Sequence, residues 1–146
     1  MKYEIKHSCG CEETVQLFGK ASERERRIAW LESKPCRECE RKARAARAEE
    51  QGLPALAGTE KQVAWAVDIR ERMLAEFAEF TRSNIESAEA RGAVTAEQAA
   101  LAKANTERAR KAIEQVPDAK WFIDHRDEPM RSLYRTACGL AAKDER

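Results

Sequence analysis

Four of the five cysteines stand as two close pairs, Cys9-Gly10-Cys11 and, after a gap of 24 residues, Cys36-Arg37-Glu38-Cys39. Two pairs of thiolates on either side of a short folded segment can converge on one tetrahedral metal without long loop closure. Zinc is the expected occupant, against the alternative of unpaired structural or redox thiols. Cys-x-Cys is a tighter spacing than usual, and His7 could stand in for Cys9 or Cys11. Four thiolates would close the coordination sphere, making the site structural, with no open position for water or substrate.

The chain has 146 residues, enough for one ordinary domain or for a metal-stapled module followed by a helical one. Charged residues make up 36% and aromatic residues only 6%, which favours long exposed helices packed through Ala, Leu, Ile and Val. A net charge of +1 sets up no global field for polyanions, but Lys34 to Arg47 holds six basic and two acidic residues. The opening Met1-Lys2-Tyr3-Glu4-Ile5-Lys6-His7 lacks a secretory apolar run, and no stretch is apolar enough to span a bilayer. A cytoplasmic setting with no membrane contact is expected. There, clustered cysteines bind metal more often than they form disulfides. Cys138 falls in an apolar helical stretch and reads as packing.

Alternation over residues 2–6 and 13–18 predicts a small β-hairpin whose turn carries Cys9-Gly10-Cys11. A helix is expected from about Ser22 to Glu32, with Ile28 and Leu31 toward the hairpin, Trp30 or Phe18 covering its exposed face, and Pro35 ending it. Cys36 and Cys39 open a second helix to about Gln51. Gly52 to Gly58 reads as a linker, so the expected organisation is a zinc-ribbon module with a basic helix over 1–51, a linker over 52–58 and a helical domain over 59–146.

Thr59 with Gln62, and Thr95 with Gln98, have capping-box spacing. The first opens a long helix with an apolar stripe through Ala66, Ile69, Met73, Phe77 and Phe80, ending at Arg91-Gly92. The second opens a helix to about Gln115 with Ala99, Leu101, Ala102, Ala109, Ala112 and Ile113 inward. Together they predict an antiparallel helical hairpin. A short helix capped by Asp118 and a last helix from Pro129 to Ala142 complete a mainly α fold.

Two surfaces stand out beyond the cysteines. Arg37, Arg41 and Arg44 share a helix face beside Lys34 and could meet phosphates, although Glu38 with Lys42 and Glu40 with Arg44 are also spaced as ordinary ion pairs. Trp121, Phe122 and Arg126 combine aromatic area with a planar donor fork, as a recognition surface does, or else pack the helix into the bundle. His125 and Glu128 have metal-compatible spacing without an evident third ligand. With two histidines, no glycine-rich phosphate loop and no nucleophile with a base, the parts for the usual reactions are missing, so a non-enzymatic protein is expected.

The run from Tyr3 to His7 into Cys9-Gly10-Cys11, Val15 to Lys20, Cys36-x-x-Cys39, Leu53-Pro54-Ala55-Leu56, Gly58 to Ala66 and Trp121 to Asp124 together resemble a zinc-ribbon plus helical-domain family. Its members are accessory proteins of phages, plasmids and other bacterial mobile elements, with no established activity attached to them. In this type of protein a His often stands at the position of Cys11, which favours Cys11 over His7 as a ligand. The resemblance implies, by association, binding to a host or mobile-element protein complex, including inhibition of bacterial defence such as CRISPR effectors. The expected function is therefore a protein-interaction module with structural zinc on Cys9, Cys11, Cys36 and Cys39. The alternative is a nucleic-acid-binding regulator using Lys34, Arg37, Arg41 and Arg44. The apolar stripe over 63–80 could also serve a homodimer.

Overall fold

The computed structural model describes residues 1–144 and divides at Arg47/Ala48 into two compact units. The expected helical domain runs to 146, so its last two residues lie outside the described ones.

The first unit opens with strands β1 (Lys2–Lys6) and β2 (Glu12–Gln16), paired antiparallel with Tyr3 opposite Val15 and Ile5 opposite Glu13. Gly10 sits in the connecting turn at φ +86°, a conformation that costs a residue with a side chain more than it costs glycine. Helix α1 (Ala21–Glu32) lies against β1, and Arg24 ties the two by donating from Nε to the Tyr3 hydroxyl at 2.9 Å. Helix α2 (Arg37–Glu50) begins after Pro35, whose ring keeps the preceding residue out of helical conformation. The helix bounds lie within two residues of those expected.

Burial here is thin. Among the described residues of this unit only Ile5 and His7 are buried, and neither α1 nor α2 buries a side chain. Burying Ile5 is worth roughly 1.5–3 kcal/mol, which cannot offset ordering some 45 residues without a further clamp. Phe18 and Trp30 do not supply the expected cover: Phe18 is 78% exposed and Trp30 is 44% exposed.

The second unit contains helices α3 (Glu60–Ala90), α4 (Ala96–Glu114), α5 (Ala119–Asp124) and α6 (Met130–Asp144). Both capping boxes form: Thr59 and Thr95 accept from the backbone N–H of Gln62 and Gln98, whose amide oxygens accept in return. The α3 stripe of Ala66, Ile69, Met73 and Phe77 packs with Ala109, Ile113, Ala119, Phe122, Leu133 and Ala137 into one core. Helices α4, α5 and α6 pack over that stripe. Leu101 corrects the expected inward set, being 62% exposed. It lies two positions from Ala99, and two residues turn a helix by about 200°, onto the opposite face.

The segment read as a linker is anchored in this unit. Ala57 donates to the Pro117 carbonyl at 2.7 Å, Ala119 donates to the Ala57 carbonyl at 2.9 Å, and Leu56 packs on the core. Arg70, buried on α3, donates from Nη1 to the Pro54 carbonyl at 2.8 Å. A side chain at Gly58 would put its Cβ 3.2 Å from that of Ala119, so glycine lets the strap lie flat against α5.

Candidate metal centre

The four cysteines converge as their spacing predicts, with all four sulfurs within 4.8 Å of one another. Among the described residues this is the single cluster of metal-ligating side chains. The hairpin turn supplies Cys9 and Cys11 and is held by two bonds, His7 N–H to the Cys11 carbonyl and Gly10 N–H to the His7 carbonyl, each 2.9 Å. The start of α2 supplies Cys36 and Cys39. The Cys36 carbonyl accepts from Glu40 N–H at 2.9 Å, and its sulfur accepts from Cys39 N–H at 3.4 Å. The sulfur of Cys9 accepts from Cys36 N–H at 3.3 Å, so free amides at the helix start face two of the sulfurs.

The Cys11 and Cys39 sulfurs are 3.7 Å apart. A tetrahedral zinc with Zn–S bonds of about 2.3 Å has sulfur–sulfur edges of about 3.8 Å, so the donor set fits that ion. Its electrostatics point the same way. The Cys36 and Cys11 amides hold the Cys9 thiol down to about 6. The sulfurs of Cys36, Cys11 and Cys9 push Cys39 up to about 12. Cys11 is eased toward ionisation by Cys39 but more than offset by Cys9 and Cys36, so its pKa is raised. Four sulfurs this close cannot all ionise in water alone, and a divalent cation removes the conflict.

His7 is buried but is not one of the converging groups. Its Nδ1 lies 3.0 Å from the Leu31 carbonyl and 3.2 Å from the Lys34 carbonyl, and its Nε2 lies 3.3 Å from Glu13 Oε2. Both ring nitrogens are engaged, which leaves the metal to the sulfurs. Lys34 also accepts from Ser8 N–H at 3.1 Å, so the hairpin grips the segment leading into Cys36. The imidazole joins the two halves of the centre from behind, as outer groups around metal sites do. A lone histidine next to a cysteine turn carries no sequence signal for this role.

The basic helix is partly neutralised. Arg41 Nη2 lies 3.1 Å from Glu38 Oε1, Lys42 Nζ is 3.5 Å from the same oxygen, and Arg44 Nη2 is 2.8 Å from Glu40 Oε1. Arg37 is exposed, and Lys34 Nζ sits 4.1 Å from the centre of the Trp30 ring.

In the second unit Phe122 corrects the expected recognition surface. It is fully buried in the core and edge-on to Trp121, with ring centres 5.0 Å apart. Trp121 is half-buried and stacks on His125 at 4.2 Å. Arg126 lies over Trp65, its guanidinium 5.1 Å from the ring centre, and Trp65 is 50% exposed. Trp65 was missed because its position on α3 adjoins the core stripe in sequence. His125 Nε2 is 3.9 Å from Glu128 Oε2, with no third ligand grouped beside them.

No described helix is long and apolar enough to cross a membrane. Comparison with protein-family models, curated proteins and solved structures gives no match.

Proposed function

We propose that this chain is a non-enzymatic binding protein in which a structural zinc ion folds the first unit and the second unit engages a protein partner. Support for zinc comes from the donor chemistry: four thiolates, no carboxylate or imidazole among the converging groups, and an edge length suited to a tetrahedral ion. A closed sphere of four sulfurs leaves such an ion no position for a substrate.

The observation that carries the protein-binding reading is the pair Trp65 and Arg126, a half-exposed indole under a guanidinium. Tryptophan and arginine dominate the binding energy of protein interfaces, because they combine large contact area with directional donors. The resemblance to mobile-element accessory proteins supplies the setting: a cytoplasmic partner complex of the bacterial host or its defence, CRISPR effectors included. The reading through Arg41 and Arg44 is weakened by their pairing with Glu38 and Glu40.

The test is stoichiometric co-purification of the tagged, zinc-loaded chain from bacterial lysate, compared with the double variant Trp65→Ala, Arg126→Ala. One complex retained by the parent and lost by the variant is expected. Retention by both, or capture of no defined complex, would contradict the reading.

A further inference from the structure

Helix α1 carries a second surface, independent of the protein-binding reading. Trp30 is 44% exposed, and two cations lie on its ring: the Arg27 guanidinium at 4.2 Å and the Lys34 ammonium at 4.1 Å from the centre. Neither Arg27 nor Lys34 has a carboxylate partner among the described residues. Glu23 stands four residues before Arg27, the favoured order for an intrahelical ion pair. Its carboxylate instead accepts from the backbone N–H of Lys20, the residue before α1, at 3.2 Å, which leaves Arg27 without that partner. Since α1 buries no side chain, Trp30 serves no core.

We propose that Arg27, Trp30 and Lys34 form a contact site for single-stranded nucleic acid, with the cations on phosphates and the indole stacked on a base. The chemistry selects the ligand. Two unneutralised cations call for an anion, and an exposed indole between them calls for a flat ring within reach of that anion. A single strand presents both in every nucleotide. A duplex presents phosphates but hides its base faces, and an acidic peptide presents anions without planes. Phosphates drawing the cations off the indole would free the ring for stacking.

The site is also tied to the metal centre. The Lys34 carbonyl accepts from Ser8 N–H and faces His7, and Cys36 follows two residues on. Closing the four sulfurs around an ion therefore fixes the backbone that places Lys34 over Trp30, and binding requires the loaded metal.

The test is fluorescence anisotropy of the zinc-loaded full chain with a labelled oligo-dT of about 12 nucleotides, over roughly 50 to 200 mM salt. Each variant is first checked for bound zinc and helical content, which separates failure of this site from failure of the metal reading. Binding is expected to weaken roughly tenfold in Trp30→Ala. It should also lose about 1.4 from the salt slope in Arg27→Glu, Lys34→Glu, for two phosphates released. Trp65→Ala should bind like the parent. Ultraviolet cross-linking of the unaltered chain should mark the peptide between Arg27 and Lys34. An oligonucleotide unbound at the lowest salt would overturn the proposal. So would variants that bind like the parent, a duplex or polyglutamate bound as tightly as oligo-dT, or a cross-link elsewhere.

Discussion

The sulfur of Cys11, on the hairpin turn, lies 3.7 Å from the sulfur of Cys39, on the first turn of α2, across 28 residues of chain. That edge ties together two segments that share almost no buried apolar surface. Replacing either residue by Ser should therefore cost more than about 100-fold in zinc affinity, beyond the range typical of outer-shell changes. Competition with a chromophoric chelator measures it. Affinity within a few-fold of the parent would show that the pair does not ligate.

Phe122 is fully buried against Trp121 and the α3 stripe, so its truncation acts on stability. Phe122→Ala should destabilise the second unit by about 3–5 kcal/mol in urea unfolding followed by helical circular dichroism. A cost below about 1 kcal/mol would place this ring outside the core.

Arg70 holds the strap by a charge-assisted bond to the Pro54 carbonyl. Arg70→Ala should cost about 1.5–3 kcal/mol and speed amide exchange at Ala57, whose N–H bonds to Pro117. Unchanged exchange there would mean that the strap is held without the guanidinium.

Arg110 beside Glu107 holds that carboxyl below its usual value. A carboxyl whose folded pKa is depressed contributes stability above its unfolded pKa, and that contribution is lost as pH falls through the folded one. Both side chains are partly solvated, so screening limits the effect. Glu107→Gln should cost about 0.3–0.5 kcal/mol at neutral pH and nothing well below pH 4.5. A cost that persisted or grew in acid would contradict the pairing.

Elements whose signals are local were legible in the sequence. The two Thr/Gln capping boxes place the starts of α3 and α4, and cysteine spacing alone identifies the four converging sulfurs. What depends on tertiary contact was not. Leu101 and Phe122 belong to apolar runs in which helix phase, rather than residue type, decides which side chain is buried. Gly52 to Gly58 has a linker's composition, yet backbone bonds to Pro117 and Ala119 turn part of it into a strap. The cations over Trp30 were hidden because Glu23, which spacing alone would pair with Arg27, is drawn to the helix cap instead.

On the proposal made above, a structural zinc ion folds the first unit. The most direct test is metal analysis of the purified full chain together with circular dichroism and amide spectra before and after chelation. One zinc per chain is expected. Its removal should collapse the resonances of β1, β2 and the turn between them while α3 to α6 stay helical. A chain that carried no zinc when purified from zinc-replete cells, or whose spectra were unchanged by chelation, would contradict it.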